Sequence, residues 1–145
     1  MCCFRCKLVL FCLFVWFSTG FAQTLEVTIS NIRTNKGQLC VALFDSEEGF
    51  KKEQPCWKRH YSKSQVEHGK VMLTICMSPG TYGLSVLDDE NGDGKMKYNM
   101  IGLPQEGFGF SNYQHKGIRR PQFNDFIFRI EENQILKIEV EMKYF

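Results

Sequence analysis

Surplus charge is missing from this chain once its first residues are set aside. The whole sequence carries 18 Lys and Arg against 16 Asp and Glu. Arg5 and Lys7 belong to an N-terminal segment that reads as a leader, and without them the balance is 16 against 16. That removes the electrostatic case for nucleic acid, whose binders carry a basic face. A bilayer-spanning apolar stretch is also lacking. The run Leu8 to Phe17 has ten residues, which rise about 15 Å as a helix, roughly half a hydrocarbon core. No permanent membrane anchor is expected. There is no internal repeat, no low-complexity tract, no linker and no helical periodicity. The G-x-S-x-G elbow of hydrolases and the HExxH signature of zinc proteases are absent. His60, His68 and His115 lie too far apart for a zinc signature.

What the first residues do contain is a secretory pattern. Two basic residues precede the apolar run, and Ser18-Thr19-Gly20-Phe21-Ala22 ends on the small-x-small motif of a cleavage site. No cysteine follows it, so a lipid-modified N-terminus is not expected. Residues 1–22 are read as a signal peptide and 23–145 as the mature domain. Setting 22 of 145 residues aside leaves 123, close to the commonest domain size and enough to bury about two thirds of the unfolded surface. Four of the seven cysteines leave with the leader. Cys40, Cys56 and Cys76 remain, and export makes one disulfide among them plausible. The other reading is three buried thiols, since free cysteine behaves as a small hydrophobe.

The dominant period along the mature chain is two. Leu136, Ile138, Val140 and Met142 alternate with Lys137, Glu139, Glu141 and Lys143, the mark of a half-buried strand with a charged outer face. Leu25, Val27 and Ile29, then Phe126, Phe128 and Ile130, repeat the pattern. Leu39 to Phe44 is continuously apolar, which predicts a central strand covered on both faces. Further runs start at Trp57, Val71 and Tyr82. Asn35-Lys36-Gly37, Ser78-Pro79-Gly80 and Glu131-Glu132-Asn133 supply turn chemistry between them. Ser46-Glu47-Glu48-Gly49 predicts one helical turn at most. The expected fold is all-β: a single seven-stranded antiparallel β-sandwich, immunoglobulin-like or transthyretin-like.

The segment Asp88-Asp89-Glu90-Asn91-Gly92-Asp93-Gly94-Lys95 concentrates four carboxylates. Counted from Asp89, Asp89, Asn91 and Asp93 fall at positions 1, 3 and 5, Gly94 at 6, and the Lys95 carbonyl at 7. This is the first half of an EF-hand loop, in which alternate residues point inward at a hard cation. The second half is missing: position 9 is Lys97 and position 12 is Met100. Calcium is the candidate ion, with Asp88, Glu90 and Glu106 as further candidate ligands. The alternative is an Asx-rich turn without metal, its repulsion relieved by Lys95 and Lys97.

Residues 97–122 form a long aromatic, glycine-rich segment, which in a compact domain is read as a functional or structured loop. Within it Gly102, Pro104, Glu106, Phe108, Phe110, Ser111 and Asn112 are the candidate binding loop. Phe108, Phe110 and Tyr113 are read either as a hydrophobic plug sealing the sandwich or as an aromatic platform for a sugar or peptide.

Taken together, Asp88 to Met96, Gly102 to Asn112 and Pro121-Gln122-Phe123 resemble a family of small exported bacterial proteins, domain of unknown function 2141. Gly37 to Phe44, Gly49-Phe50 and Pro79 to Tyr82 resemble its N-terminal half. The resemblance implies an all-β sandwich, export to the periplasm of a Gram-negative bacterium or beyond it, and no established catalytic activity. Two positions depart from the family pattern, which commonly has His in place of Asp88 and Asp in place of Lys97. A carboxylate at 97 would be a natural further ligand.

The function expected from these readings is a non-catalytic exported module, calcium-stabilised, with a protein or carbohydrate partner. Two alternatives stand beside it. One is a hydrolase using Glu106 with His115 or Asp89. The other is a sheet-edge adaptor that pairs with a partner strand.

Overall fold

The computed structural model describes residues 23–145, so the leader read over 1–22 lies outside the described residues. Two sheets face each other. The first has three strands in the order β4-β1-β8: β4 (Val71–Met77), β1 (Gln23–Ser30) and β8 (Ile135–Glu141). The second has five: β3 (Trp57–Ser62), β2 (Gln38–Phe44), β5 (Gly80–Asp89), β6 (Gly107–Phe110) and β7 (Ile127–Ile130). A five-residue helix, α1 (Glu47–Lys51), leaves β2, its first turn capped by the Ser46 hydroxyl, which accepts from the Gly49 amide at 3.2 Å.

Alternation decides the core. Leu25, Val27 and Ile29 of β1, Leu39, Val41 and Leu43 of β2, Leu84 and Val86 of β5, and Ile138 and Val140 of β8 all point between the sheets and are buried. Lys137, Glu139 and Glu141 face outward and are exposed. The continuous run in β2 has the expected explanation. Its second face, carrying Ala42 and Phe44, lies under an outer aromatic cluster of Phe50, Phe108, Phe110, Phe123 and Phe126. Phe50 comes from α1 and meets Phe126 edge-on at 4.9 Å between ring centroids.

The structure corrects two fold expectations. There are eight strands among the described residues, because β6 lies inside the segment read as loop. The sandwich is not wholly antiparallel, since β1 pairs with β4 antiparallel but with β8 in parallel, Val27 opposite Ile138. Side-chain alternation is the same in either direction, so the sequence pattern carries no sign of it.

One seam positions the candidate site. β5 pairs with β7 through Gly80–Gly83, then with β6 through Ser85–Asp88. Leu84 sits at the change of partner, and Ser111 fills the gap. Its hydroxyl accepts from the Leu84 amide at 3.0 Å and donates to the Phe126 carbonyl at 2.6 Å. The two sheets also join along one edge, where Phe108 and Lys143 exchange backbone hydrogen bonds of 3.0 and 2.7 Å. Gly109 permits that approach: a Cβ there would lie 2.5 Å from Val140 Cγ1 and 2.9 Å from the Glu141 carbonyl oxygen.

A candidate cation site at the end of strand β5

β5 ends in two adjacent aspartates, and extended backbone sends them to opposite faces. Asp88 continues the inward face of Leu84 and Val86. Asp89 continues the outward face and starts the acidic loop.

Asp89 organises that loop. Its Oδ1 accepts from the amides of Gly92 at 2.8 Å and Asp93 at 3.1 Å. Its Oδ2 accepts from the Gly94 amide at 2.8 Å and from Gln38 Nε2 at 2.7 Å. Gln38 is opposite Asp89 in the β2–β5 register, which is why its side chain reaches. Gly92 and Gly94 both have φ near +75° (78° and 74°), the left-handed conformation that glycine adopts without strain. Burial pushes the Asp89 carboxyl up, but these hydrogen bonds outweigh it and hold the group below the usual range. Two further links tighten the turn. Asn91 Oδ1 accepts from the Asp93 amide at 3.0 Å, and Asp93 Oδ1 accepts from the Lys95 amide at 3.0 Å.

Glu106 closes the cluster from the residue before β6. It is 5% exposed. Its Oε1 accepts from Asn91 Nδ2 at 2.6 Å, while its Oε2 is buried with no hydrogen-bond partner. Carboxylate oxygens of Asp89, Asp93 and Glu106 lie within 4.8 Å of one another. Burial raises the Glu106 carboxyl above its ordinary range. The neighbouring Asp89 and Asp93 charges add to that, against the Lys97 amide and ammonium. At the ~20 effective dielectric that suits such sites, two charges this close repel by about 3 kcal/mol. The observed counter-charge is Lys97, whose Nζ lies 3.1 Å from Asp93 Oδ2. Oxygen donors of this kind, with an orphaned oxygen among them, fit a hard divalent cation.

Not every sequence candidate joins this cluster. Asp88 is fully buried, forms an ion pair with Lys63 and accepts from the Tyr144 hydroxyl at 2.6 Å. It is therefore not a ligand of the loop. Glu90 is held by Arg33 at 2.7 Å, and that hydrogen bond lowers its carboxyl. Lys95 contributes its amide to Asp93. Sequence reasoning missed Gln38, Lys63 and Tyr144. The signal for Tyr144 was present, because the period of Leu136 to Met142 extends to it. Lys63 sits in the polar string Tyr61-Ser62-Lys63-Ser64-Gln65 and gives no such sign.

The candidate binding loop divides in the same way. Phe108, Phe110 and Ser111 are interior, which places the aromatics as a plug and not as a platform. Asn112 is bound to β8: its amide donates to the Glu139 carbonyl at 2.7 Å, and its Oδ1 accepts from the Glu139 amide at 3.0 Å. Gly102 and Pro104 shape a hairpin-like excursion in which Gln105 donates to the Lys97 carbonyl at 2.8 Å. Its tip exposes Tyr98, Met100 and Ile101, which line an open cleft of about 470 Å³ with Asn99 and Gln105. His115 stacks among Phe108, Phe110 and Tyr113, and burial lowers its imidazole. No hydrogen bond joins it to Glu106 among the described residues.

The disulfide expectation also changes. Cys40, Cys56 and Cys76 are free thiols. Cys40 is buried on the outer face of one sheet, its thiol 3.7 Å from Asp89 Oδ2. Cys76 alternates with the inward-facing Ile75 and so projects from the outer face of the other sheet. Cys56 donates its thiol to the Leu43 carbonyl at 3.3 Å. With sheets packed about 10 Å apart, Cys40 and Cys76 are beyond bridging distance.

Residues 27–137 match a bacterial family described as uncharacterized protein conserved in bacteria, DUF2141. No curated protein and no solved structure gives a significant match.

Proposed function

The chain belongs to the DUF2141 family, and on that premise we propose that it is a non-catalytic exported β-sandwich whose 89–94 loop, with Glu106, takes up calcium. The observation that carries this reading is the Glu106 Oε2 atom, buried without a partner beside the Asp89 and Asp93 carboxylates. Burying an unpaired carboxylate oxygen is costly, and a cation removes that cost. Asp93, Asn91 and Glu106 are the principal ligands, because hydrogen bonds already occupy the roughly four lone-pair sites of Asp89. Half an EF-hand with Lys97 beside it makes an ion held more weakly than in a full loop.

Export rests on the pattern of residues 1–22, and among the described residues no helix is long and apolar enough to cross a membrane. The compartment is the periplasm or the cell exterior, and the partner a protein or a carbohydrate. The exposed tip carrying Tyr98, Met100 and Ile101 supports a contact beside the ion. Calorimetric titration with calcium, and melting in excess calcium against excess chelator, test the ion. Calcium at 100 times its dissociation constant stabilises the native state by about 2.7 kcal/mol. Equal melting temperatures in the two conditions would refute it.

A further inference from the structure

We propose that Lys63 and Asp88 condense to an intramolecular amide, a covalent cross-link between the 3-10 turn that follows β3 (Lys63–Gln65) and the end of β5. The two side chains face each other as an ion pair in the interior, each with 0% of its side-chain surface exposed. Hydrogen-bond accounting separates an ion pair from an amide. An ammonium brings three donors and a carboxylate about four acceptor sites, and all of them are buried here. Lys63 Nζ donates to the Thr34 carbonyl at 3.2 Å. Asp88 Oδ2 accepts from the Tyr144 hydroxyl at 2.6 Å. Asp88 Oδ1 faces Nζ but receives no hydrogen bond of ordinary geometry. An amide between Nζ and Cγ has one N–H and one carbonyl oxygen. The N–H keeps Thr34, the carbonyl oxygen keeps Tyr144, and the orphaned Oδ1 is gone.

The step balances without a co-reactant. The ammonium first passes a proton to Oδ1, which faces it; the freed Nζ lone pair then forms the C–N bond to Asp88 Cγ, a second proton moves from nitrogen to Oδ1, and the Cγ–Oδ1 bond breaks. Of the three ammonium hydrogens, one stays on the amide and two leave with Oδ1 as water. Tyr144 is placed to stabilise the charge that develops on Oδ2. Its own hydroxyl is oriented by the Arg33 amide, which donates to it at 3.2 Å, and by the Arg33 guanidinium 4.5 Å above its ring. Proximity supplies the drive. Well-oriented intramolecular pairs reach effective molarities of about 10⁵–10⁸ M, and a dry interior favours loss of water and of two buried charges.

Mass spectrometry of the purified folded chain decides the matter. The expected result is an intact mass lower by one water, with the Lys63 and Asp88 peptides released by trypsin as one branched species. The peptide map places the loss, so cyclisation of an N-terminal glutamine is not mistaken for it. Lys63→Arg keeps a cation opposite Asp88 but offers no competent nucleophile, and Asp88→Ala removes the acceptor. Both variants keep the full mass. Tyr144→Phe condenses about 10²–10³ times more slowly, seen as an unlinked fraction in freshly refolded protein. A wild-type chain of full mass that yields the two peptides separately overturns the proposal, and a Tyr144→Phe chain that condenses at the wild-type rate overturns the role given to Tyr144.

Discussion

Replacing Ser111 by alanine removes one oxygen from a fully buried position, and the structure fixes what that costs. The Leu84 amide loses its acceptor and the Phe126 carbonyl loses its donor. Leu84 and Ser111 are both 0% exposed, so water does not replace the hydroxyl. Each buried polar group left unsatisfied costs about 1–3 kcal/mol. Alanine nearly conserves volume, so no cavity term is added. The expected loss is about 2–4 kcal/mol, a large share of the roughly 5–15 kcal/mol that holds an ordinary domain together. For a chain of this length that lowers the melting temperature by roughly 10 °C. Urea unfolding followed by tryptophan fluorescence reads it as a lower midpoint with an unchanged slope. Ser78→Ala, in the turn before β5, is the control and stays within about 0.5 kcal/mol. If Ser111→Ala is as mild as its control, the hydroxyl does not seal the seam where β5 changes partners, and the account of that junction fails.

Four further outcomes are expected. Lys97→Ala removes the cation beside Asp93 and tightens calcium binding by about two- to fivefold, the worth of a partly exposed charge contact; unchanged affinity in calorimetry would remove Lys97 from the site. Glu106→Gln abolishes the gain in melting temperature on adding calcium. In chelator the same variant is at least as stable as the wild type at neutral pH. A carboxyl raised in the folded state penalises folding when ionised, and that penalty is relieved as pH falls through the raised value toward the ordinary glutamate range; the gap between variant and wild type therefore narrows on acidification, and a gap that widens contradicts the assignment. Gly109→Ala drives a Cβ against Val140 and the Glu141 carbonyl and costs about 1–3 kcal/mol by urea unfolding.

The sandwich was legible because β-structure writes its burial in alternation. Leu136 to Met142 and Leu25 to Ile29 declare one buried face, and Leu39 to Phe44 declares two. The strand β6 was not legible, for a tertiary reason. In Gly107-Phe108-Gly109-Phe110 the phenylalanines face the outer cluster, while the glycines face Tyr144 and Val140, which leave no room for a side chain. Glycine at alternate positions looks like loop when the neighbour that demands it is more than thirty residues away. The acidic loop was legible in its spacing to the extent that Asp89 and Asp93, four residues apart, bring carboxylate oxygens within 4.8 Å of each other and of Glu106. Its boundary was not. Asp88 and Asp89 are chemically alike, but strand geometry parts them, one to an interior lysine and the other to the loop. Nothing local marks Lys63 as interior, because its partners, Asp88 and the Thr34 carbonyl, are more than twenty residues away in sequence.

Pairing the first strand alongside the last has a consequence for how this polypeptide comes into being. β1 stands in the middle of its sheet, and one of its two neighbours, β8, is the last strand of the domain to be made. Growing from the ribosome, β1 has no complete sheet of its own until β8 has emerged. Contacts so distant in sequence form late and slowly, so the three-stranded sheet closes only after every strand of the five-stranded one has been made. The newly made domain therefore passes through an interval in which its three-stranded sheet lacks the strand that completes it.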